Sequence, residues 1–352
     1  MKLLFLCGHK SPYGLSHLKP LLNSKFDIVA VVIATDDRWR LFHDSLGGKS
    51  YYKPKVVHSP LGPANAFIKK IISSNIRHLF KYDIKKAQPI NDILREHNIP
   101  LLQIFDVNEK TVIEKIKEIN PDLILSAAFP QILSKDLITI PHKGSVNFHP
   151  SLLPKYRGAH PHFWAIAKGE KVGGLTAHFM TENIDDGDII AQVKYPIEQY
   201  IYSQHYKKII EEVPTIVRMV EEFFYQNTKK PVPQDLSEVS YFKNDREIHK
   251  RIFWNTHSAE EIKNLIRTER AFCFFRGVKV KFMKAYVTKS NRNLTNNVLV
   301  EPGTIVDVYK DCIVVKTTDA CINIEEFEDR GRNMSFNKWV IKHNIYIGEK
   351  FD

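Results

Sequence analysis

Short apolar runs alternate with amphipathic stretches through the first 150 residues of the chain. Leu3–Cys7 and Asp27–Ala34 (DIVAVVIA) read as buried strands, with a helical stretch from Ser16 to Leu22 between them. Leu101–Phe105 and Asp122–Ser126 read as further strands. They flank a helix over Glu109–Ile119 that turns Val112, Ile113, Ile116 and Ile119 to one face. Gly144–His149 is the next strand. Continuous apolar strands separated by amphipathic helices predict a parallel sheet covered on both faces. Sites in such sheets form at the carboxyl ends of strands, and His149 stands at one.

The alternation breaks between Ala34 and Pro100. Ala64–Tyr82 carries Phe67, Ile68, Ile71, Ile72, Ile76 and Leu79 at helical spacing, accompanied by Lys69, Lys70, Arg77 and Lys81. This predicts a basic helical insert over about 36–98. Tyr202–Asn227 reads as helix, with Pro214 as a break or first-turn residue. Lys229–Pro233 (KKPVP) reads as linker. Ser258-Ala259-Glu260-Glu261 is a capping-box start for a helix to about Arg267. Val278–Val287, Thr304–Val308, Cys312–Thr317 and Cys321–Phe327 are short strands at the spacing of a small barrel. The expected organisation is an N-terminal α/β domain over 1–228, a linker over 229–245, and a helix plus β-barrel over 246–352.

With 352 residues the chain is long enough for two domains. No apolar run reaches the roughly 18 residues that a membrane span needs, and Met1–Cys7 is too short for a signal peptide. A cytoplasmic protein is expected. The four cysteines form no CxxC pair and read as reduced core thiols. The net charge is +11, and it is uneven: from Arg38 to Lys86 the chain carries 11 Lys and Arg against 2 Asp and Glu. Such a segment could attract phosphates or nucleic acid.

Several motifs fail. Gly8–Gly14 (GHKSPYG) is neither a dinucleotide fingerprint nor a P-loop. Asp185-Asp186-Gly187-Asp188 has its glycine at the wrong place for a calcium loop. His142, His149, His160, His162 and His178 fit no closed zinc site, and no metal is expected. One constellation survives. Acyl transfer to an amine needs a base, donors for the developing oxyanion, and a group that orients the base. His149 can be the base. Asn147, two residues before it, shares its face of a strand and can donate to an oxyanion. Asp185, 38 residues after Asn147, can fix the imidazole if the two meet in space.

Three segments in order carry a family resemblance: Asn147–Gly158 (NFHPSLLPKYRG), Gly174–Met180 (GLTAHFM) and Ile184–Asp188 (IDDGD). They resemble the folate-dependent formyltransferases, a family that includes the methionyl-tRNA, glycinamide ribonucleotide and nucleotide-sugar enzymes. The resemblance implies a Rossmann-like formyltransferase domain with a smaller OB-like β-barrel, and a catalytic triad of Asn147, His149 and Asp185. It implies 10-formyltetrahydrofolate as formyl donor, its pterin taken up by the loop Ala127–Leu133 (AAFPQIL) through Phe129, Gln131, Ile132 and Leu133, with Asp186. The barrel half is similar through Ser240–Asn244, Ile252–Trp254 and Pro302–Ile305; where the family carries a proline-rich stretch, Ala271–Gly277 has none.

The acceptor is read from finer features. Pro161–Ile166 (PHFWAI), Gly169-Glu170-Lys171 and Met180-Thr181-Glu182 look more like the sugar enzymes. The segment TDDRWRLF after Ala34 does not resemble the tRNA enzyme's loop. The expectation is therefore a small-molecule nucleotide-linked amino sugar, as in polysaccharide biosynthesis, with Tyr156, Arg157 and His160 as acceptor contacts. Charged initiator tRNA is the alternative, and no membrane partner is expected. A non-catalytic RNA-binding protein and a formyl-folate hydrolase rank lower. The sequence does not fix the oligomeric state, and a homodimer stays open.

Overall fold

The computed structural model describes residues 1–8, 11–34, 90–226, 229–288, 300–329 and 331–352. Most of the expected insert, including Ala64–Tyr82, lies outside them. The chain divides into two compact units that do not follow chain order. The first comprises 1–149, 177–191 and 212–233; the second comprises 150–176, 192–211 and 234–352.

In the first unit, β1 (Lys2–Cys7) pairs in parallel with β2 (Asp27–Ala34) on one side and β4 (Leu123–Ala127) on the other. β2 continues to β3 (Leu101–Ile104), and β4 to β5 (Ser145–His149), again in parallel. With β7 (Val172–Phe179) and β8 (Ile189–Pro196) the sheet order is β3-β2-β1-β4-β5-β7-β8. Leu3, Leu4, Phe5, Leu6, Leu123, Ile124 and Leu125 have no solvent-accessible surface. Each such side chain contributes about 1.5–3 kcal/mol by leaving water. The order reverses between β1 and β4, and an open α/β sheet has its crevice at the carboxyl ends of such a pair. There Gly8 N donates to the Ala127 carbonyl at 3.1 Å.

The helical stretch expected from Ser16 to Leu22 starts earlier and breaks in two, Pro12–Ser16 and Leu18–Leu22. Ser11 caps the first, its Oγ accepting from Gly14 N at 3.3 Å, and Pro12 supplies the preset φ of a first turn. A second expectation is corrected. The helix Tyr202–Gln226 runs straight through Pro214. Proline costs a helix interior about 3 kcal/mol through its missing N–H. Ile209, Val213, Ile216, Val217 and Val220 on one buried stripe more than offset that. The KKPVP segment is pinned, because Val232 exchanges two 2.8 Å backbone bonds with Ile189.

In the second unit, β10 (Phe272–Phe275), β11 (Val278–Val287), β14 (Cys321–Asp329), β13 (Ile313–Lys316) and β12 (Ile305–Val308) form an antiparallel sheet, with β15 (Arg332–Ser335) on β14. Residues 348–352 close it. Phe274 and Asp352 exchange bonds of 3.2 and 2.8 Å on one edge, while Ile305 N donates to Glu349 O at 2.7 Å on the other. The helix Ala259–Arg267 starts with the expected box: Ser258 Oγ accepts from Glu261 N, and Glu261 accepts from Ser258 N. Residues 150–176 join this unit because Tyr156, Phe163 and Trp164 are buried in the same core as Ile252, Trp254, Ile262 and Phe282. A short ladder, β6 (Arg157–Gly158) against β9 (Tyr241–Phe242), fixes that segment.

Three imidazoles are buried neutral. Burial lowers His17 and His205 each to about 4, and lowers His162 well below its ordinary value. Their folded pKa lies below the unfolded value of 6.5, so their contribution is complete at neutral pH and is lost as pH falls from about 6.5 toward 4. Each of the first two should cost about 2 kcal/mol at pH 5 relative to pH 7.5. Urea unfolding at the two pH values should show this loss, and His17→Leu should reduce it; an equal loss in the variant would refute the assignment.

Candidate active site

Asn147 and His149 occupy alternate positions at the carboxyl end of β5, so both project from one face of the sheet. Phe148 between them projects to the other face and is buried. Asp185 comes from the turn between β7 and β8. Its φ of 53° is left-handed, a conformation that Asp and Asn tolerate through local bonds of their short polar side chains. Gly187 packs that turn. A Cβ there would run into the Phe179 carbonyl.

The carboxylate of Asp185 gathers the site. Its Oδ2 lies 3.5 Å from His149 Nδ1, and its Oδ1 accepts from Asn147 Nδ2 at 3.4 Å. His149 is buried, and Asp185 is nearly so. A fourth residue joins them. His178 Nε2 lies 3.4 Å from both Asn147 Nδ2 and Asp185 Oδ1. Its Nδ1 lies 2.8 Å from the Phe179 carbonyl. A carbonyl only accepts, so Nδ1 donates there, and Nε2 lies between the Asn147 amide and the Asp185 carboxylate. The sequence signal for His178 was its place in the GLTAHFM strand, but alternation alone cannot say which neighbour it meets. At rest, the Asn147 amide donates to Asp185 Oδ1 and lies beside His178 Nε2. Contacts of 3.4 Å are long, and a developing oxyanion can outcompete them.

The expected pterin loop lies at the β1–β4 switch point. Gln131 stitches it to the neighbouring loop: Oε1 accepts from Val107 N at 2.8 Å, and Nε2 donates to Phe105 O at 2.7 Å. Asn108 does the same from the other side, to Ile132 O at 2.9 Å and from Ser134 N at 2.8 Å. Ile132 is exposed, whereas Phe129 and Leu133 are buried in the core under the sheet beside Leu6 and Val107. Asp186 turns into its own loop, accepting from Thr181 Oγ1 and, at 2.7 Å, from Asn183 Nδ2.

The three expected acceptor contacts all lie in the second unit. Arg157 is buried; Nε and Nη2 both donate to Gln234 Oε1, at 3.1 and 2.7 Å, and Nη1 donates to Tyr241 Oη at 2.7 Å. Tyr156 donates to Glu170 at 2.8 Å and stacks on Phe242, and burial with that carboxylate pushes its phenol well above the ordinary value. These two order their own loop. His160 differs. It is half exposed, and its Nδ1 bonds the buried carboxylate of Asp245. Lys250 and Arg270 each reach Asp245 Oδ2 at 2.9 Å. Burial alone would raise the Asp245 carboxyl, but His160, Lys250 and Arg270 hold it well below the carboxylate range. Asp245 lies 85 residues from His160 and had no sequence signal.

Residues 71–216 match the family model described as "Formyl transferase", and residues 246–344 match "Formyl transferase, C-terminal domain". The methionyl-tRNA formyltransferase of Malacoplasma penetrans is 32% identical over 336 residues, covering 94% of this chain and 90% of that protein. The methionyl-tRNA formyltransferase of Alkaliphilus oremlandii is 34% identical over 266 residues, covering 74% and 84%. Among solved structures, a sugar 3N-formyl transferase crystallised with dTDP and 5-N-formyl-THF superposes with a TM-score of 0.57 at 18% identity, covering 94% of this chain and 98% of that one. An N-formyltransferase from Helicobacter canadensis reaches 0.55 at 18% identity, covering 92% and 97%. At that identity the structures speak for the fold.

Gly187→Ala should destabilise the protein by about 1–3 kcal/mol through the clash with Phe179. An unchanged urea midpoint would contradict the packing of the Asp185 turn described above.

Proposed function

Because the chain belongs to the formyltransferase family, we propose that it moves the formyl group of 10-formyltetrahydrofolate onto the α-amino group of methionyl initiator tRNA. Formyl transfer from a formyl-folate is common ground for the relatives and for the folate-bound neighbours. The acceptor is the finer step. The likeness along nearly the whole chain to a relative bearing the tRNA enzyme's name carries it. This reverses the preference drawn from PHFWAI and from the TDDRWRLF segment. The sugar reading has fold likeness on its side, and fold alone does not choose an acceptor. The basic segment 38–86 adds support, since Lys and Arg on phosphates supply affinity for nucleic acid.

The triad is assigned as follows. The neutral amine attacks the formyl carbon; a C–N bond forms, and the carbonyl electron pair moves onto oxygen. Asn147 Nδ2 gives up one of its long resting contacts and donates to that oxygen. His149, held through Nδ1 by Asp185, takes the proton from the attacking nitrogen on Nε2 and passes it to the departing folate nitrogen. That nitrogen keeps the electron pair of the breaking C–N bond. The pterin end is assigned to the 127–133 loop, whose backbone Gln131 holds in place, with Ile132 exposed beside it and Asp186 bracing the facing turn. Of the expected acceptor contacts, His160 is kept, because its side chain is half exposed whereas packing uses Tyr156 and Arg157.

His149→Ala and Asp185→Asn should each lower turnover about 10²–10⁴-fold with the fold retained. Asn keeps the left-handed turn that Asp185 occupies. Near-normal turnover in either variant sinks the assignment. Gln131→Ala should raise KM for formyl-folate several-fold while kcat changes less than about twofold. Formyl transfer from 10-formyltetrahydrofolate, assayed against charged initiator tRNA and a panel of nucleotide amino sugars, tests the acceptor: product only with a sugar overturns the tRNA reading.

A further inference from the structure

Asn147 and His149 can serve one reaction only if a single strand end aims both at the same point. What holds that strand end from behind is the other face of β5. Phe148 is 1% exposed, and its carbonyl accepts from the Tyr13 hydroxyl at 3.1 Å. Tyr13 lies on the short helix Pro12–Ser16 and is itself buried. That helix rests on the sheet through backbone. A Cβ on Gly14 would stand 2.9 Å from the Ala127 carbonyl and 3.0 Å from the Gly8 backbone, so only glycine lets the helix come this close.

A second contact fixes Tyr13. The ring of His17 meets that of Tyr13 edge-on at 4.8 Å and lies 4.6 Å from that of Phe148. His17 Nδ1 lies 2.8 Å from the Tyr13 carbonyl, which can only accept, so Nδ1 is the donor. Burial lowers His17 to about 4, so the ring is neutral at working pH and can pack between two aromatic rings. Tyr13, His17 and Phe148 therefore form one buried aromatic block, joined to the strand end through the Tyr13 hydroxyl.

We propose that Tyr13 is a positioning residue for formyl transfer: its hydroxyl fixes the peptide unit between Phe148 and His149, and so sets the direction of His149 relative to Asn147. The proposal rests on the Asn147–His149–Asp185 reading given above. Rotation of that one peptide plane turns His149 relative to Asn147, and reacting groups must be held within about 10–20° of productive geometry. A misplacement of about 1 Å can cost on the order of a hundredfold in rate.

The test is Tyr13→Phe, which removes one oxygen from a site that keeps its ring packing. Formyl transfer should fall about tenfold in kcat, with KM for formyl-folate within about twofold of wild type. Tyr13→4-aminophenylalanine restores a donor and should recover most of the lost rate, which a purely structural role for the ring would not predict. In the His149→Ala background, Tyr13→Phe should cost little further, because it acts through His149. Wild-type kcat in Tyr13→Phe, no recovery with the amine, or the same fractional loss in both backgrounds overturns the proposal. Should His149→Ala itself turn over normally, the triad reading fails instead. If Tyr13→Phe does not fold, the aminophenylalanine variant decides alone: folding with wild-type kcat supports the proposal, and folding with a tenfold lower kcat refutes it.

Discussion

A strand buried on both faces has no place for a polar side chain until it leaves the sheet. β1 and β4 follow this from Leu3 to Cys7 and from Leu123 to Leu125, with the small Ser126 the buried polar residue near the end of β4. Their leucines, isoleucine and phenylalanine have no exposed surface. An unpaired polar group there would cost about 1–3 kcal/mol, by protein mutational data. Chemistry is therefore confined to the carboxyl ends, where β5 offers Asn147 and His149 and the β7–β8 turn offers Asp185. The same constraint places the backbone-rich 127–133 loop at the switch point. Fold and site are one consequence of where apolar burial stops.

The strands were legible because each is a continuous apolar run bounded by turn residues, and β1, β2 and β5 fall within a residue of expectation. Asn147, His149 and Asp185 were singled out by spacing and family likeness, and they meet in one cluster. What the sequence could not carry was partnership at long range. Asp245 meets His160, Lys250 and Arg270 across separations no periodicity records. Arg157 looked like an acceptor contact in KYRG, yet Gln234 and Tyr241 use its guanidinium. Pro214 looked like a break, and five buried aliphatic residues carried the helix past it. In each case a tertiary contact outweighed a local preference.

The acceptor question has the same origin. In the function proposed above, formyl transfer rests on a few side chains at a strand end, and these do not choose the acceptor. Acceptor choice depends on surfaces remote from that chemistry, where composition is permissive. A short stretch such as PHFWAI is dominated by packing: Phe163 and Trp164 are buried in the core of the second unit, and Trp164 donates to the Lys243 carbonyl at 3.1 Å. Such residues report on the core and say little about the ligand.

The closure of the small barrel by residues 348–352 has a consequence in time. Phe275 and its bridge partner Phe351 are 76 positions apart (275 and 351). During synthesis at about 5–20 residues per second, β10 waits several seconds for that partner to emerge. Until then both outer strands, β10 and β12, offer unpaired N–H and C=O groups to any passing chain. The interval before closure is the nascent protein's most vulnerable one, and a chaperone that shields extended strands would act in it.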